Sequence, residues 1–406
     1  MADENIERLL AGSGLERGKR IRELSVGIDF LSDFWKEKYL EEYIKEGGSK
    51  IKFVTGRPGS GKSHFLCLIS DLAADMGYKT AVFSARDVWL HDFKEIYVEI
   101  LSQCDILQCL EGCAGRVIEG LGYKPADIPE GMTFMDYLAG QGMADAITKR
   151  EIRLQLRELF LDNPLLDNNF ALACSLLTGG ILGHPVLESQ NRELLLGWMA
   201  GDKTVKLSLL RGLGLSPSRI TKYNARHMLR SLAEVIRMGG RPGLLVAIDN
   251  LEALLNRSSL ETVHYTKVRR EDTYESIRQL IDEIDSLRNI MFVFGFDREL
   301  MDNDNLGIKS YQALWMRIQN EIVGEHFNCF ADIVDLDRLG EQIYTADTLT
   351  AMSRKFAETL KGFGCETEPL TYEKAEELRT QSRLGGVGLP RMVLESTVRT
   401  GGEADV

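Results

Sequence analysis

Gly56-Arg57-Pro58-Gly59-Ser60-Gly61-Lys62-Ser63 follows the run Ile51-Lys52-Phe53-Val54 and leads into His64-Phe65-Leu66-Cys67-Leu68. A GxxxxGK[ST] pattern between a strand and a helix is the signature of a phosphate-binding loop. Glycines let successive backbone N–H groups turn inward on phosphate oxygens, and the helix N-terminus adds the positive end of its dipole. In this reading Gly56, Arg57, Pro58, Gly59, Ser60, Gly61, Lys62, Ser63 and His64 line the nucleotide, Lys62 reaches the outer phosphates, and the Ser63 hydroxyl holds magnesium. The stretch therefore predicts binding of a nucleoside triphosphate, ATP with Mg2+.

The rest of the composition bounds what surrounds that loop. The 406 residues suffice for two or three modest domains or one large one with insertions, and a 44% hydrophobic share is that of a globular protein with a real core. No apolar run approaches the roughly twenty residues of a membrane helix, and Met1-Ala2-Asp3-Glu4-Asn5 is acidic where a signal peptide would be basic. The expectation is a soluble cytoplasmic protein with no membrane partner. Seven cysteines, odd in number and scattered, argue against a disulfide framework. Cys104, Cys109 and Cys113 lack CxxC spacing and read as buried thiols on an amphipathic helix rather than as metal ligands. A formal charge of −12 disfavours wholesale polyanion binding but leaves room for a local basic path to DNA. Arg269-Arg270 sits beside Glu271-Asp272 and reads as a charge-balanced surface.

Periodicity organises the chain around the loop. Residues 1–50 read as an N-terminal helical segment, with apolar faces at Ile6 to Leu10 and from Phe30 to Tyr43, ended by Gly47-Gly48. Strands are expected at 52–55 and 79–84, joined by a helix to about Met76, which makes a βαβ unit and calls for a parallel sheet covered by helices on both faces. From Phe93 to Arg237 the pattern is almost wholly helical, a long insertion over 93–238. Further strands are expected at 244–248, 289–296 and, shorter, 332–336. The nucleotide-binding core is thus assigned to 51–92 and 239–340, and 341–406 to a C-terminal helical, lid-like region.

Magnesium on a triphosphate wants a second acid at the end of a neighbouring strand, and Asp249, directly after Leu244-Leu245-Val246-Ala247-Ile248, fits that role. In many ATPases the next residue is a glutamate that polarises the attacking water; here it is Asn250, with Glu252 two positions on. An amide cannot accept the water's proton, so either Glu252 acts as base, or Asn250 only orients water, or hydrolysis is slow and the protein works as a nucleotide-state switch; Glu252 is the preferred choice. Asp297 and Arg298, after the strand at 289–296, read equally as contacts to the outer phosphate or attacking water and as a helix cap followed by a surface arginine. Arg317 is a candidate arginine finger toward a neighbouring subunit, and Arg391, in Gly388-Leu389-Pro390-Arg391, could reach back to the nucleotide.

The order of these parts resembles an AAA+-type (ASCE-like) P-loop NTPase: an α/β parallel sheet flanked by helices, with a large helical insertion and a C-terminal helical region. That resemblance assigns Arg391 the role of a lid-borne sensor arginine. Leu196-Gly197-Trp198-Met199-Ala200-Gly201, the 210–215 turn, Tyr223-Asn224-Ala225-Arg226, residues 232–237 and the stretch from Gly243 to Glu252 are further similar to the small ATP-binding proteins of BREX-type bacterial phage-defence systems. In that family the segment after the third strand commonly reads Asp-Glu-Leu-Glu, so Asp249 and Glu252 match and Asn250 departs. The resemblance implies self-association through an ATPase interface and partners among other defence proteins, such as a DNA methyltransferase or a nuclease/phosphatase-like component.

The sequence reading is an Mg·ATP-dependent AAA+-like ATPase that drives assembly or remodelling of a partner complex, with Lys62, Asp249, Glu252, Asn250, Arg317 and Arg391 as its catalytic set. Two alternatives stand beside it. One is an ATP-binding regulatory module with negligible hydrolysis, favoured by Asn250; the other is a small-molecule P-loop kinase, disfavoured because the helical regions are large and no arginine-rich acceptor lid is evident.

Overall fold

The computed structural model describes residues 19–255, 263–319, 328–362, 367–383 and 385–402. The helix expected at Ile6 to Leu10 lies outside them. Five strands form one all-parallel sheet: β1 (Ser49–Gly56), β2 (Lys79–Ser84), β3 (Leu244–Asp249), β4 (Ile290–Asp297) and β5 (Ile333–Asp335), in the order β2-β3-β4-β1-β5. The central strands are buried on both faces, which is why β3 and β4 read as unbroken apolar runs rather than as alternating ones.

The two-residue period of each strand divides the core between the faces. Leu244, Val246 and Ile248 of β3, with Phe292 and Phe294 of β4, face a layer that includes Tyr97 and Ile100 of α2 (Phe93–Cys104). Leu245 and Ala247, with Met291 and Val293, face Phe65 and Ile69 of α1 (Lys62–Asp75) and Trp35 and Leu40 from the N-terminal helices. On the first face, α2, α3 (Ile106–Gly120), Asn168–Leu182 and α4 (Ala225–Met238) extend the same core into a helical mass. Cys104, Cys109 and Cys113 are buried there, and desolvation pushes the Cys104 and Cys113 thiols up to about 12. A third, smaller core joins α5 (Ala346–Gly362), α6 (Tyr372–Ser382) and α7 (Leu389–Gly402).

β1 begins three residues before the strand expected at 52–55, because its backbone keeps pairing: Ser49 lies opposite Ile290 and Lys50 opposite Met291. Lys52 hides the strand from a hydropathy reading, yet it is fully buried. Its ammonium donates to the Phe330 and Ala331 carbonyls at 2.9 and 2.7 Å and lies 4.4 Å from the centre of the Tyr39 ring. One buried cation thus ties β1 to the segment entering β5 and to the N-terminal helices. Among the described residues, no helix is long and apolar enough to cross a membrane.

Replacing Lys52 by Met keeps the length of the stem but takes the ammonium donor from the buried Ala331 carbonyl and leaves the Phe330 carbonyl only the longer bond from the Tyr39 hydroxyl at 3.4 Å. The expected loss is roughly 1–3 kcal/mol of unfolding free energy, read as a lower urea midpoint with an unchanged m-value.

Candidate functional site

Parallel pairing brings the strand ends level. Gly56 at the end of β1 lies opposite Asp297 at the end of β4, and Ser84 of β2 opposite Asp249 of β3. Since β4 runs between β1 and β3, Asp297 falls between the glycine-rich loop and Asp249.

Lys62 opens α1 and folds its stem back on the loop. Its ammonium donates to the Arg57 carbonyl at 2.9 Å and pairs with Asp297 Oδ1 at 2.6 Å. Asp297 stands at the N-cap position of the short helix Arg298–Asp302, but its carboxylate makes no capping bond. The cap reading therefore does not account for it; the pair with Lys62 does. Arg298 turns away to Asp335 and, at 3.7 Å, to Asp337.

Asp249 accepts the Asn250 N–H at 2.8 Å and a hydrogen bond from the Ser63 hydroxyl. Burial raises its pKa above the usual carboxylate range, against the opposing pull of those two bonds and of Lys62. Gly295 on β4 makes room for this carboxylate: a Cβ there would stand 2.7 Å from Asp249 Oδ1.

Asn250 adopts φ 59°, the left-handed region that asparagine tolerates better than most residues with a side chain. This turn sends its amide sideways. Its Oδ1 accepts from Ser84 Oγ at 3.0 Å, and its Nδ2 donates to Glu252 Oε1 at 3.2 Å. Arg86 donates to the same oxygen at 3.1 Å, while the Asp297 N–H donates to Glu252 Oε2 at 3.2 Å. Glu252 thus already lies in the cluster, held by three donors from three segments. Its pKa is raised, first by burial and then by the charge of Asp297, with Asp249 contributing.

The C-terminal helices sit directly on the loop. Gly388 N–H donates to the Pro58 carbonyl at 2.8 Å and Arg391 N–H to the Gly59 carbonyl at 3.2 Å. A Cβ on Gly388 would lie 2.3 Å from the Ser60 nitrogen, so only glycine permits this approach. The Arg391 side chain pairs with Glu395 at 2.8 Å. Arg57 turns outward: its N–H donates to Asp337 Oδ2 at 2.6 Å, and its guanidinium donates to the Gly385 carbonyl at 2.7 Å and to that of Ser382. Sequence reasoning missed Asp337, Ser84 and Arg86. The two acids flanking Leu336 at the end of the last strand were the available signal for the first.

Beside the loop lies a cavity of about 210 Å³, walled by residues 59–64, Val26, Ile28, Met352, Phe356 and Leu394. Ser25 closes it near α1. Its hydroxyl donates to the Ile21 carbonyl at 2.9 Å and therefore accepts from His64 Nε2 at 2.8 Å, which places the ring proton on that nitrogen. Burial pushes the His64 pKa down to about 4, so the ring is neutral at ordinary pH. Lys355 of α5 donates to the Ser25 carbonyl at 2.9 Å.

Arg317, on the helix Gln312–Ile318, is not brought to this cluster. It forms a two-pronged pair with Asp282 at 2.9 and 3.0 Å.

The sheet and the loop define a protein of the P-loop NTPase-like class. Its kind is given by a family model, the BREX system ATP-binding protein BrxC/D, which matches residues 4–358: the chain belongs to that family, and so to ATP-binding proteins of a phage-defence system. The matched span stops before the Gly388-Leu389-Pro390-Arg391 turn. No curated protein and no solved structure matches the chain.

The left-handed turn at Asn250 makes a clear stability prediction. Asn250→Glu should cost about 1 kcal/mol, since it puts a less tolerant residue at positive φ and a second carboxylate beside Glu252. Asn250→Gly should cost less, and paired urea titrations compare the two.

Proposed function

We propose that this protein hydrolyses Mg·ATP, and that its nucleotide state governs assembly or remodelling of a partner complex in defence. The observation that carries the reading is the convergence of Lys62, Ser63, Asp249, Glu252 and Asp297 at the level ends of three adjacent strands. The Ser63 hydroxyl beside the Asp249 carboxylate is an all-oxygen donor pair that suits magnesium, which would neutralise charge on the phosphate oxygens when bound. The apolar cavity flanking the loop is of the kind that takes a nucleobase.

In this reading Lys62 exchanges Asp297 for the outer phosphates. Glu252 takes the proton of the attacking water as oxygen bonds to the terminal phosphorus; the bond from that phosphorus to the bridging oxygen breaks, and ADP and inorganic phosphate leave. Asn250 acts through Glu252, which it orients. Arg391 starts from a pair with Glu395, and Arg317 would have to give up Asp282 to serve a neighbouring subunit.

A second reading has its own support. Glu252 carries donors on both oxygens, as suits a site that binds ATP and turns over negligibly. Replacing Glu252 by Gln separates the two: hydrolysis predicts about a 10²–10⁴-fold fall in phosphate release with ATP binding retained, whereas a binding module shows no Glu252-dependent turnover. Lys62→Ala should abolish turnover under either assay condition, alone or with partner proteins. A phosphorylated small molecule in place of free phosphate would point to a kinase.

The pH profile adds a signed test. A base must be ionised, and the negative charge of Asp297 makes ionising Glu252 harder. Asp297→Asn removes that charge and lowers the Glu252 pKa, so the acid limb of the kcat profile should move to lower pH.

A further inference from the structure

Residues 203–233 contain seven Lys or Arg and neither Asp nor Glu, in a chain whose formal charge is −12. Two of the seven are half-buried and held internally: Arg226 stacks on Phe93 with its guanidinium carbon 4.7 Å from the ring centre, and Arg230 donates to the Leu165 carbonyl at 3.1 Å. The other five, Lys203, Lys206, Arg211, Arg219 and Lys222, are exposed. Among the described residues none of these five has a carboxylate within 4.0 Å. These cations are solvated, and without carboxylate partners they leave the stretch attractive to anions.

Three of the five line one feature. Lys203, Arg219 and Lys222, with Lys94 of α2, border a cleft of about 510 Å³ whose floor includes Trp198. Its acids are Asp92, Glu95 and Asp202. Asp92 caps α2 by accepting the Lys94 N–H at 3.0 Å, and Asp202 accepts both the N–H and the hydroxyl of Thr204, at 2.7 and 2.9 Å. Glu95 lies 4.0 Å from Lys94. Arg219 gives one N–H to the Lys203 carbonyl at 3.0 Å and its charge bears on Asp202, so the lining carries four cations against three acids, with the Lys203 and Lys222 ammonium groups left to meet an outside ligand.

Aromatic faces accompany the cations. Tyr223 is 82% exposed, with the Lys222 ammonium 5.5 Å from its ring centre. Cations that track a backbone, interleaved with rings on which bases stack, form the surface that holds single-stranded nucleic acid. An acidic peptide would use the cations but has no need of an exposed tyrosine face.

We propose that the cleft bordered by Lys203, Arg219 and Lys222, with the exposed Tyr223 ring next to Lys222, binds a single strand of nucleic acid, through its phosphates and by stacking.

The test uses fluorescence anisotropy of the full chain with labelled 20-residue oligodeoxynucleotide and oligoribonucleotide strands, with and without ATP. The triple variant Lys203→Gln, Arg219→Gln, Lys222→Gln should weaken binding at least tenfold and reduce the slope of log affinity against log salt by about 2, near 0.7 for each phosphate of a single strand that the variant leaves unneutralised. Tyr223→Ala should weaken binding about tenfold and leave that slope unchanged. Binding of a fluorescent ATP analogue should be the same in both variants, which establishes that they are folded and that the nucleotide site is separate. Failure of both strands to bind at 50 mM salt, unchanged binding by the triple variant, tighter binding of duplex than of strand, or equal displacement by polyglutamate would each overturn the proposal.

Discussion

Level parallel pairing is the constraint on which the rest of this molecule depends. Side chains at the C-terminal ends of β1, β3 and β4 are far apart in sequence, yet the register sets Gly56 against Asp297 and carries Ile248 alongside Phe294. A slip of one residue would reverse every side chain between the two core layers and separate Lys62 from Asp297. The division of Leu244, Val246 and Ile248 from Leu245 and Ala247 across the sheet is therefore also what fixes the site.

Within that frame the chemistry is one of crowded negative charge around the Lys62 ammonium, with the Arg86 guanidinium on Glu252 at its edge. Asp249, Glu252 and Asp297 gather at the strand ends, and burial makes ionisation of the first two harder. Lys62 compensates in part, held by Asp297 and by the loop's own carbonyl. A bound triphosphate would add further negative charge, so the proposed function needs a cation to accompany it. The Ser63–Asp249 pair is where the protein offers oxygens for one.

Much of this is legible in the residues because it rests on local pattern. The glycine-rich loop, the apolar runs of β3 and β4, and the helical period through the insertion each carry their signal within a few residues. What is not legible depends on long-range geometry. Lys52 reads as a break in a strand until Phe330 and Ala331 supply its acceptors. Asn250 reads as a missing base until its positive φ shows the amide directed at Ser84 and Glu252. Arg57, read as a nucleotide contact, has its guanidinium directed to the Ser382 and Gly385 carbonyls, a pairing across more than three hundred residues that no local spacing announces. The basic stretch 203–233 shows a different limit: its charge asymmetry is present in the sequence but spread thinly, whereas the Arg269-Arg270 pair is conspicuous at once.

The meeting of Gly388 with Ser60 is backbone against backbone. Side-chain contacts yield by degrees as rotamers shift, but two main chains in contact have no such slack and act as a mechanical stop. α7 is thereby held at its nearest approach to the loop, and the width of the cavity beside residues 59–64 is set by the C-terminal helix as much as by the loop itself.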